Sequence, residues 1–464
     1  MYINFLFIIF LIYVLNISHI YAFNIKNHKN HLNFNLKSNI NVDSEIINKE
    51  NKDNCISLKT TKDNLYYFDI EVGTPGQVFS VLVDTGSNFF WINNVKCSGC
   101  NSQKKFNLEA SKTFNYTNNV LNLNYISGYL SGQISTDIIK LNNNIHFSNF
   151  NFVLINESNI DFELDGIFGL SKNIKDIDNY EFSPLNQIYK NSNFNNYIFT
   201  LDFPNKNLYI EGNPTYLNLY SNISCQRKSI HNLNNYYWKC ISKYIQIDKS
   251  FIKDKIENYF IKENNIIFDS GINSIVFSSN YIPLFRNILS NNKLLINAKC
   301  EIKSSKENFQ IFSIFCENIN NLFDKENEIY TKIFKDDFIS IYLDDNKRFS
   351  LNFENIYDKN NESFKLYFMD IPENTIILGI PFFERYIVSF NKDKDVIVIY
   401  DPEKENIFNK RININLILII CIGAMIILIG SIIHYKKRKS NYNSLKIEKE
   451  FSSSSLFSQE GKNI

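Results

Sequence analysis

Val78-Phe79-Ser80-Val81-Leu82-Val83-Asp84-Thr85-Gly86-Ser87 and Ile266-Ile267-Phe268-Asp269-Ser270-Gly271 are two versions of one device. Each is an apolar run with β-branched residues, the pattern of a buried strand, that halts at Asp, a hydroxyl residue and Gly. Asp and Gly punctuate turns in most proteins, so a single Asp-Thr-Gly would carry little weight. Two copies 185 positions apart, at 84 and 269, divide the body of the chain about in half. That spacing predicts an internal duplication in which each half presents one carboxylate from a turn.

Two carboxylates held close together cannot both ionise cheaply, so they share one proton and titrate as a pair. One member can accept a proton from water while the other donates to a scissile carbonyl oxygen. Amide hydrolysis by this route uses no metal, no cofactor and no covalent intermediate. Asp84 and Asp269 are therefore the candidate catalytic residues. Gly86 and Gly271 allow the backbone to come close to the carboxylates. The hydroxyls of Thr85 and Ser270 can bond across to the opposite loop and hold the two in register.

Around these loops, short apolar and aromatic runs recur between Asn, Gly and Asp breaks from Tyr66 to about Asp401. Val78–Val83, Phe150–Ile155, Tyr197–Phe203, Tyr244–Ile247, Ile266–Phe268 and Val396–Tyr400 read as strands, and the spacing predicts an all-β body. Ser183–Tyr189 and Tyr281–Leu289 are short helix candidates. Other catalytic classes have little material. Only His146 and His231 lie in the mature body, from which a Ser-His-Asp triad or a zinc site would have to be built. A net charge of +1 gives no bulk field for nucleic acid.

The two loops resemble the active-site loops of pepsin-like aspartic proteases, and the likeness extends along residues 66–401. Tyr67-Phe68-Asp69-Ile70-Glu71-Val72-Gly73-Thr74-Pro75 resembles the family's strand before the first loop, and Trp91 follows Asp84 at the family's interval. Tyr125-Ile126-Ser127-Gly128, with Gly132 beyond, resembles the hairpin flap that covers substrate. Asp165-Gly166-Ile167-Phe168-Gly169-Leu170 and Ile377-Leu378-Gly379-Ile380-Pro381-Phe382-Phe383 resemble the segments that cross behind the loops. The resemblance implies a bilobal fold with a cleft, lobes over 54–210 and 211–408 dividing near Pro204–Pro214, and endopeptidase activity on proteins or peptides by a monomer. It implies substrate-site roles for Tyr125, Gly86, Gly271, Ser87, Thr85 and Ser270.

The second loop departs from the family pattern at Ile272, where Thr or Ser usually bonds the aspartate. Losing that bond removes about 1.5–3 kcal/mol of charge-assisted contact and raises the pair's pKa. Asn273 or Ser274 is available as a substitute. The departure keeps open an alternative, a catalytically weak or inactive protease fold that binds peptides.

The chain ends predict a secretory route. Residues 1–22, with an apolar run from Phe5 to Leu15 and small Ala22, read as a signal peptide or an uncleaved anchor. Residues 23–53 are polar and read as a pro-segment or disordered arm. Leu416 to Ile433 carries no charge and precedes Lys436-Lys437-Arg438-Lys439, so 414–433 is expected to span a membrane with 434–464 in the cytosol. The body is then lumenal, in the endoplasmic reticulum or a later secretory compartment. There the sequons at Asn115, Asn156, Asn222 and Asn361 could be glycosylated.

Cysteines fit that oxidising setting. Cys97-Ser98-Gly99-Cys100 has redox or metal spacing, but no second pair follows at zinc-ribbon distance, so a small disulfide loop is expected. Cys300–Cys316 is a further expected pair. Cys55, Cys225 and Cys240 leave three pairings open, with one left over. The Asn-rich composition, the Cys97/Cys100 loop, Phe106-Asn107-Leu108 before Ser111-Lys112-Thr113, and the C-terminal anchor resemble the membrane-bound plasmepsins of apicomplexan parasites.

Overall fold

Along Tyr66–Val72 buried and half-buried residues alternate strictly, as they must in a strand with one face on a core. The alternation stops in Gln77–Asp84, where Val81, Leu82 and Val83 are all buried. A strand enclosed on both faces reads as a continuous apolar run. Such strands carry Asp84 and Asp269 into the interior. The computed structural model describes residues 54–441, apart from 126–127, 173–181, 192–195, 227–236, 248–259, 292, 307–308, 318–336, 359–360, 362 and 406–422.

Three sheets make up the body. An eight-stranded sheet holds the first half, from Lys59–Thr60 to Gly166–Gly169 in sequence. A ten-stranded sheet holds the second, from Lys239–Ile247 to Thr375–Leu378. The third has six strands in the order Cys55–Ser57, Asn207–Tyr209, Ile198–Asp202, Ile387–Asn391, Val396–Glu405 and Tyr220–Gln226. It draws on the start, middle and end of the body and joins the two lobes. The runs expected as strands all fall within observed strands or overlap them, and the helix candidates appear as Pro184–Asn191 and Ile282–Asn291. In the latter Phe285, Ile288 and Leu289 are buried, the i, i+3, i+4 stripe of a helix lying on a core.

The two halves repeat one local topology. Gln77–Asp84 runs parallel to Gly166–Gly169, which in turn pairs antiparallel with Phe90–Ser98 beyond the first loop. Phe260–Phe268 runs parallel to Thr375–Leu378, which pairs antiparallel with Ile275–Ser278 beyond the second loop. Each loop is held from behind: the Ser171 N–H donates to the Ser87 carbonyl at 3.0 Å, and the Ile380 N–H to the Ile272 carbonyl at 2.8 Å. The crossing segments carry glycine because nothing larger fits. A Cβ on Gly379 would lie 2.2 Å from the Ile272 carbonyl oxygen, and one on Gly169 would lie 2.6 Å from that of Ser87.

Disulfides join Cys97–Cys100, Cys225–Cys240 and Cys300–Cys316, which leaves Cys55 as the free thiol among the described residues; Cys421 lies outside them. Among the described residues no helix is long and apolar enough to cross a membrane. The described part of the expected span begins at Gly423 and is helical, with its apolar side chains exposed, Ile427 at 72%. Residues 1–22 and 23–53, and the first part of the span, lie outside the described residues.

Candidate active site

The strand ends deliver Asp84 and Asp269 to one point between the lobes. Thr85 and Ser270, both fully buried, bind each other's loop. The Thr85 N–H donates to Ser270 Oγ at 3.0 Å, and the Ser270 N–H to Thr85 Oγ1 at 2.9 Å. Thr85 Oγ1 donates to the Phe268 carbonyl at 2.9 Å and Ser270 Oγ to that of Val83 at 2.8 Å. A hydroxyl both donates and accepts, so two side chains close four bonds with two-fold symmetry.

Within each loop the glycine N–H turns back onto its own aspartate, Gly86 to Asp84 Oδ1 at 2.8 Å and Gly271 to Asp269 Oδ1 at 2.9 Å. Each glycine also faces the other half's carboxylate. A Cβ on Gly86 would sit 2.3 Å from Asp269 Oδ2, and one on Gly271 would sit 2.5 Å from Asp84 Oδ1. Only a residue without a side chain leaves both carboxylates where they are.

The two carboxyls share a hydrogen bond, and their environments differ. Asp84 is 6% exposed and Asp269 opens slightly more onto the cleft. Burial raises the pKa of Asp84, opposed by the Ser87 hydroxyl and by the N–H groups of Gly86 and Ser87. Ser87 Oγ is buried close to Asp84 and Tyr125 without a well-aligned bond to either, so its help is that of a nearby dipole. Asp269 is pushed much higher, by burial first and the Asp84 charge second, with the Gly271 N–H as its stabilising donor. One carboxyl is thus better provided with donors than its neighbour. That asymmetry places the shared proton on Asp269 and the charge on Asp84.

The donors expected to replace a hydroxyl at position 272 are occupied or turned away. Asn273 lies against the Tyr367 hydroxyl, and the buried Ser274 hydroxyl has no partner among the described residues. Neither reaches Asp269.

A cavity of about 620 Å³ opens over the pair. Leu82, Trp91, Leu123, Ile160, Phe162 and Ile167 form an apolar wall on the first lobe; Ile272, Ile311, Tyr367 and Met369 face it from the second. Tyr125 lies at the end of Asn115–Tyr125 and lines this cavity, while Ile126 and Ser127 lie outside the described residues. Its hydroxyl accepts the Trp91 indole N–H at 3.0 Å. Burial and the Asp84 charge raise its pKa, so the phenol keeps its proton as a donor. Trp91 lies in the core and also fixes Tyr125. Its constant interval from Asp84 was the available signal. Nothing in the sequence marked Trp238, whose indole N–H crosses between halves to the Leu170 carbonyl at 2.8 Å.

Comparison with known proteins agrees with this geometry. The eukaryotic aspartyl protease family model matches residues 65–400. Plasmepsin I of Plasmodium falciparum is 24% identical over 368 residues, covering 75% of this chain and 71% of that protein. Plasmepsin IV of the same organism is 23% identical over 359 residues, 74% and 71% of the two chains. Pepsin II-1 of Oryctolagus cuniculus is 37% identical over a shorter stretch of 121 residues, 25% of this chain and 31% of that one. With the duplicated loops, the paired carboxyls and a match across both lobes, this chain belongs to the eukaryotic aspartyl protease family and is an aspartic-type endopeptidase.

Proposed function

We propose that the protein is a membrane-anchored aspartic endopeptidase that cleaves secretory-pathway proteins, with Asp84 and Asp269 as its catalytic pair. The observation that carries this reading is the shared hydrogen bond between two carboxyls presented by symmetric loops at the floor of an apolar cleft. Asp84, ionised, takes a proton from the attacking water. Asp269, protonated, donates to the carbonyl oxygen of the scissile amide as the tetrahedral carbon forms. Tyr125 covers the substrate from the flap, its hydroxyl held by Trp91. Thr85, Ser270, Gly86 and Gly271 fix the separation of the carboxyls, and Ser87 biases the charge toward Asp84. The uncharged run Leu416 to Ile433, followed by the basic cluster 436–439, supports the anchor and a lumenal body.

A second reading, peptide binding without turnover, draws on Ile272, which leaves Asp269 without a side-chain hydroxyl donor. One experiment separates the two: full-length wild type, Asp84→Ala and Asp269→Ala assayed on a fluorogenic peptide library. Cleavage by wild type that drops below about one per cent in either variant supports the pair. A silent wild type that still binds peptides supports the second reading.

A further inference from the structure

The Cys97-Ser98-Gly99-Cys100 disulfide has no role in the chemistry above, yet it is built into the wall of the cleft. Both of its cysteines pack in the apolar cluster that contains Trp91, Leu123, Ile160 and Ile167, with Tyr125 and Phe162 against it. The loop also touches the flap hairpin, near its turn, through one short segment. Ser98 pairs with Glu157, and Gly99, at φ +76°, lies so close that a Cβ would be 2.0 Å from the Ser158 carbonyl oxygen. On the other side of that segment Asn159 Oδ1 accepts the Tyr129 N–H at 2.7 Å, and Glu157 Oε1 accepts the Tyr129 hydroxyl at 2.7 Å. Residues 157–159 are thus gripped between the disulfide loop and the second flap strand at Tyr129.

Two further features set this disulfide apart. Its loop is the shortest of the three, with a sequence separation of 3 against 15 and 16, so its constraint on the unfolded chain is the smallest. Its sulfurs also face acceptors that a disulfide cannot use. Cys100 Sγ lies 3.1 Å from Asn93 Oδ1, whose amide nitrogen is already committed to Ser102 Oγ at 2.9 Å. Cys97 Sγ lies 3.5 Å from the Ser98 carbonyl. Reduced thiols would donate to both oxygens, and at Cys100, only 7% exposed, that would give a buried acceptor its donor. The dithiol form therefore has a site waiting for it. Cys97 is half-exposed and Cys100 buried, which directs an incoming thiol to Cys97.

We infer that Cys97–Cys100 is a reversible dithiol switch that sets flap order and substrate affinity in response to small-molecule thiols of the glutathione class. The inference rests on the endopeptidase reading for its consequence on hydrolysis. A glutathione thiolate attacks Cys97 Sγ, the Cys97–Cys100 bond breaks, and Cys100 leaves as a thiolate that takes up a proton. A second thiolate attacks the mixed disulfide, releasing oxidised glutathione and the Cys97 thiolate. One disulfide and two thiols thus become two protein thiols and one new disulfide. The opened loop no longer clamps residues 157–159, and the second flap strand loosens at Tyr129.

The test equilibrates the full-length protein in glutathione buffers of graded redox poise. Alkylation and mass spectrometry follow each cysteine, hydrogen exchange follows the Tyr129 and Leu130 amides, and a fluorogenic peptide gives kcat and KM. The expected result is reduction of Cys97–Cys100 before the other two pairs, with faster exchange at Tyr129. KM should rise about fivefold or more while kcat changes less than about twofold. A Cys97→Ser/Cys100→Ser protein should show the high KM at every poise, and a Cys300→Ser/Cys316→Ser protein should keep the response. Reduction without change in exchange or KM overturns the inference, as does a Cys97–Cys100 pair that resists until the protein unfolds. If the double variants do not fold, the wild-type titration decides alone. Absence of hydrolysis at every poise would count against the endopeptidase reading, while the exchange data would still decide the switch.

Discussion

Thr85 and Ser270 each hold the other's backbone N–H and reach past it to a carbonyl in the other half of the molecule. The position of one carboxyl relative to the other therefore depends on two fully buried hydroxyls that do not line the cavity, so the substrate-site role expected of Thr85 and Ser270 is corrected to a positioning one. Thr85→Val keeps shape and removes both side-chain bonds, leaving the Ser270 N–H and the Phe268 carbonyl buried without partners. The expected cost is about 2–6 kcal/mol of unfolding free energy, at about 1–3 kcal/mol for each of the two orphaned groups. Denaturant titration of wild type, Thr85→Val, Ser270→Ala and the double variant measures it. The double should cost less than the sum, since the two share a network.

Gly86→Ala tests the floor of the cleft without removing a functional group. The new methyl would lie 2.3 Å from Asp269 Oδ2, so the carboxyl or the loop must move. A displacement of about 1 Å in a reacting group costs on the order of 100-fold. We expect kcat to drop by about that factor with the circular dichroism spectrum unchanged. Wild-type kcat in a folded variant would mean that the carboxyl separation is not held this tightly.

Asp269 is held protonated in the fold to a higher pH than in the unfolded chain. The sign follows from linkage. The unfolded chain releases this proton near the ordinary carboxylate value, about 3.9, so stability falls as pH rises from there through the raised native value. Asp269→Asn removes the titration. Its melting temperature relative to wild type should be nearly equal near pH 3 and should rise with pH above about 4. A constant difference across pH would refute the raised pKa.

Ile272→Thr adds the missing donor to the ionised form of Asp269. A donor to the carboxylate lowers the upper pKa of the pair, so the alkaline limb of the pH–activity profile should move down, by up to about one unit. Asn273 and Ser274 do not compensate beforehand, because the first lies against Tyr367, the Ser274 hydroxyl has no partner among the described residues, and neither acts on Asp269. An unchanged limb would show that position 272 does not tune the pair.

Topology has its own check. With a lumenal body and a cytosolic tail, protease added to intact microsomes should trim only the residues after about 433. Digestion of the body would reverse the proposed orientation.

Much of this was legible because the decisive signals are short-range. An apolar run ending in Asp-Thr-Gly marks a buried strand delivering a carboxylate, and its repeat at 269 marks the duplication. Tyr125 was legible through its hairpin. Contacts made only in three dimensions were not. Trp238 meets Leu170 across 68 positions, and the six-stranded sheet pairs Ile198–Asp202 with Ile387–Asn391. No local pattern encodes such partners. Asn273 failed as a substitute donor for the same reason: the group it lies against, Tyr367, is on a distant strand. The Cys225–Cys240 pair, one of three that counting alone allowed, was settled by bringing Tyr220–Gln226 and Lys239–Ile247 together.

The six-stranded sheet bears on how the protein is made. Its first strand pair joins residues near 57 to residues near 207, and its fourth and fifth strands are the last of the body. A chain that emerges from its N-terminus has Asp84 long before the strands that close this sheet. Contacts of such long sequence separation form late and slowly. Asp269 reaches Asp84 only when both lobes are complete, so a nascent chain holds half of the proposed catalytic pair and is not yet equipped to cleave its neighbours during synthesis.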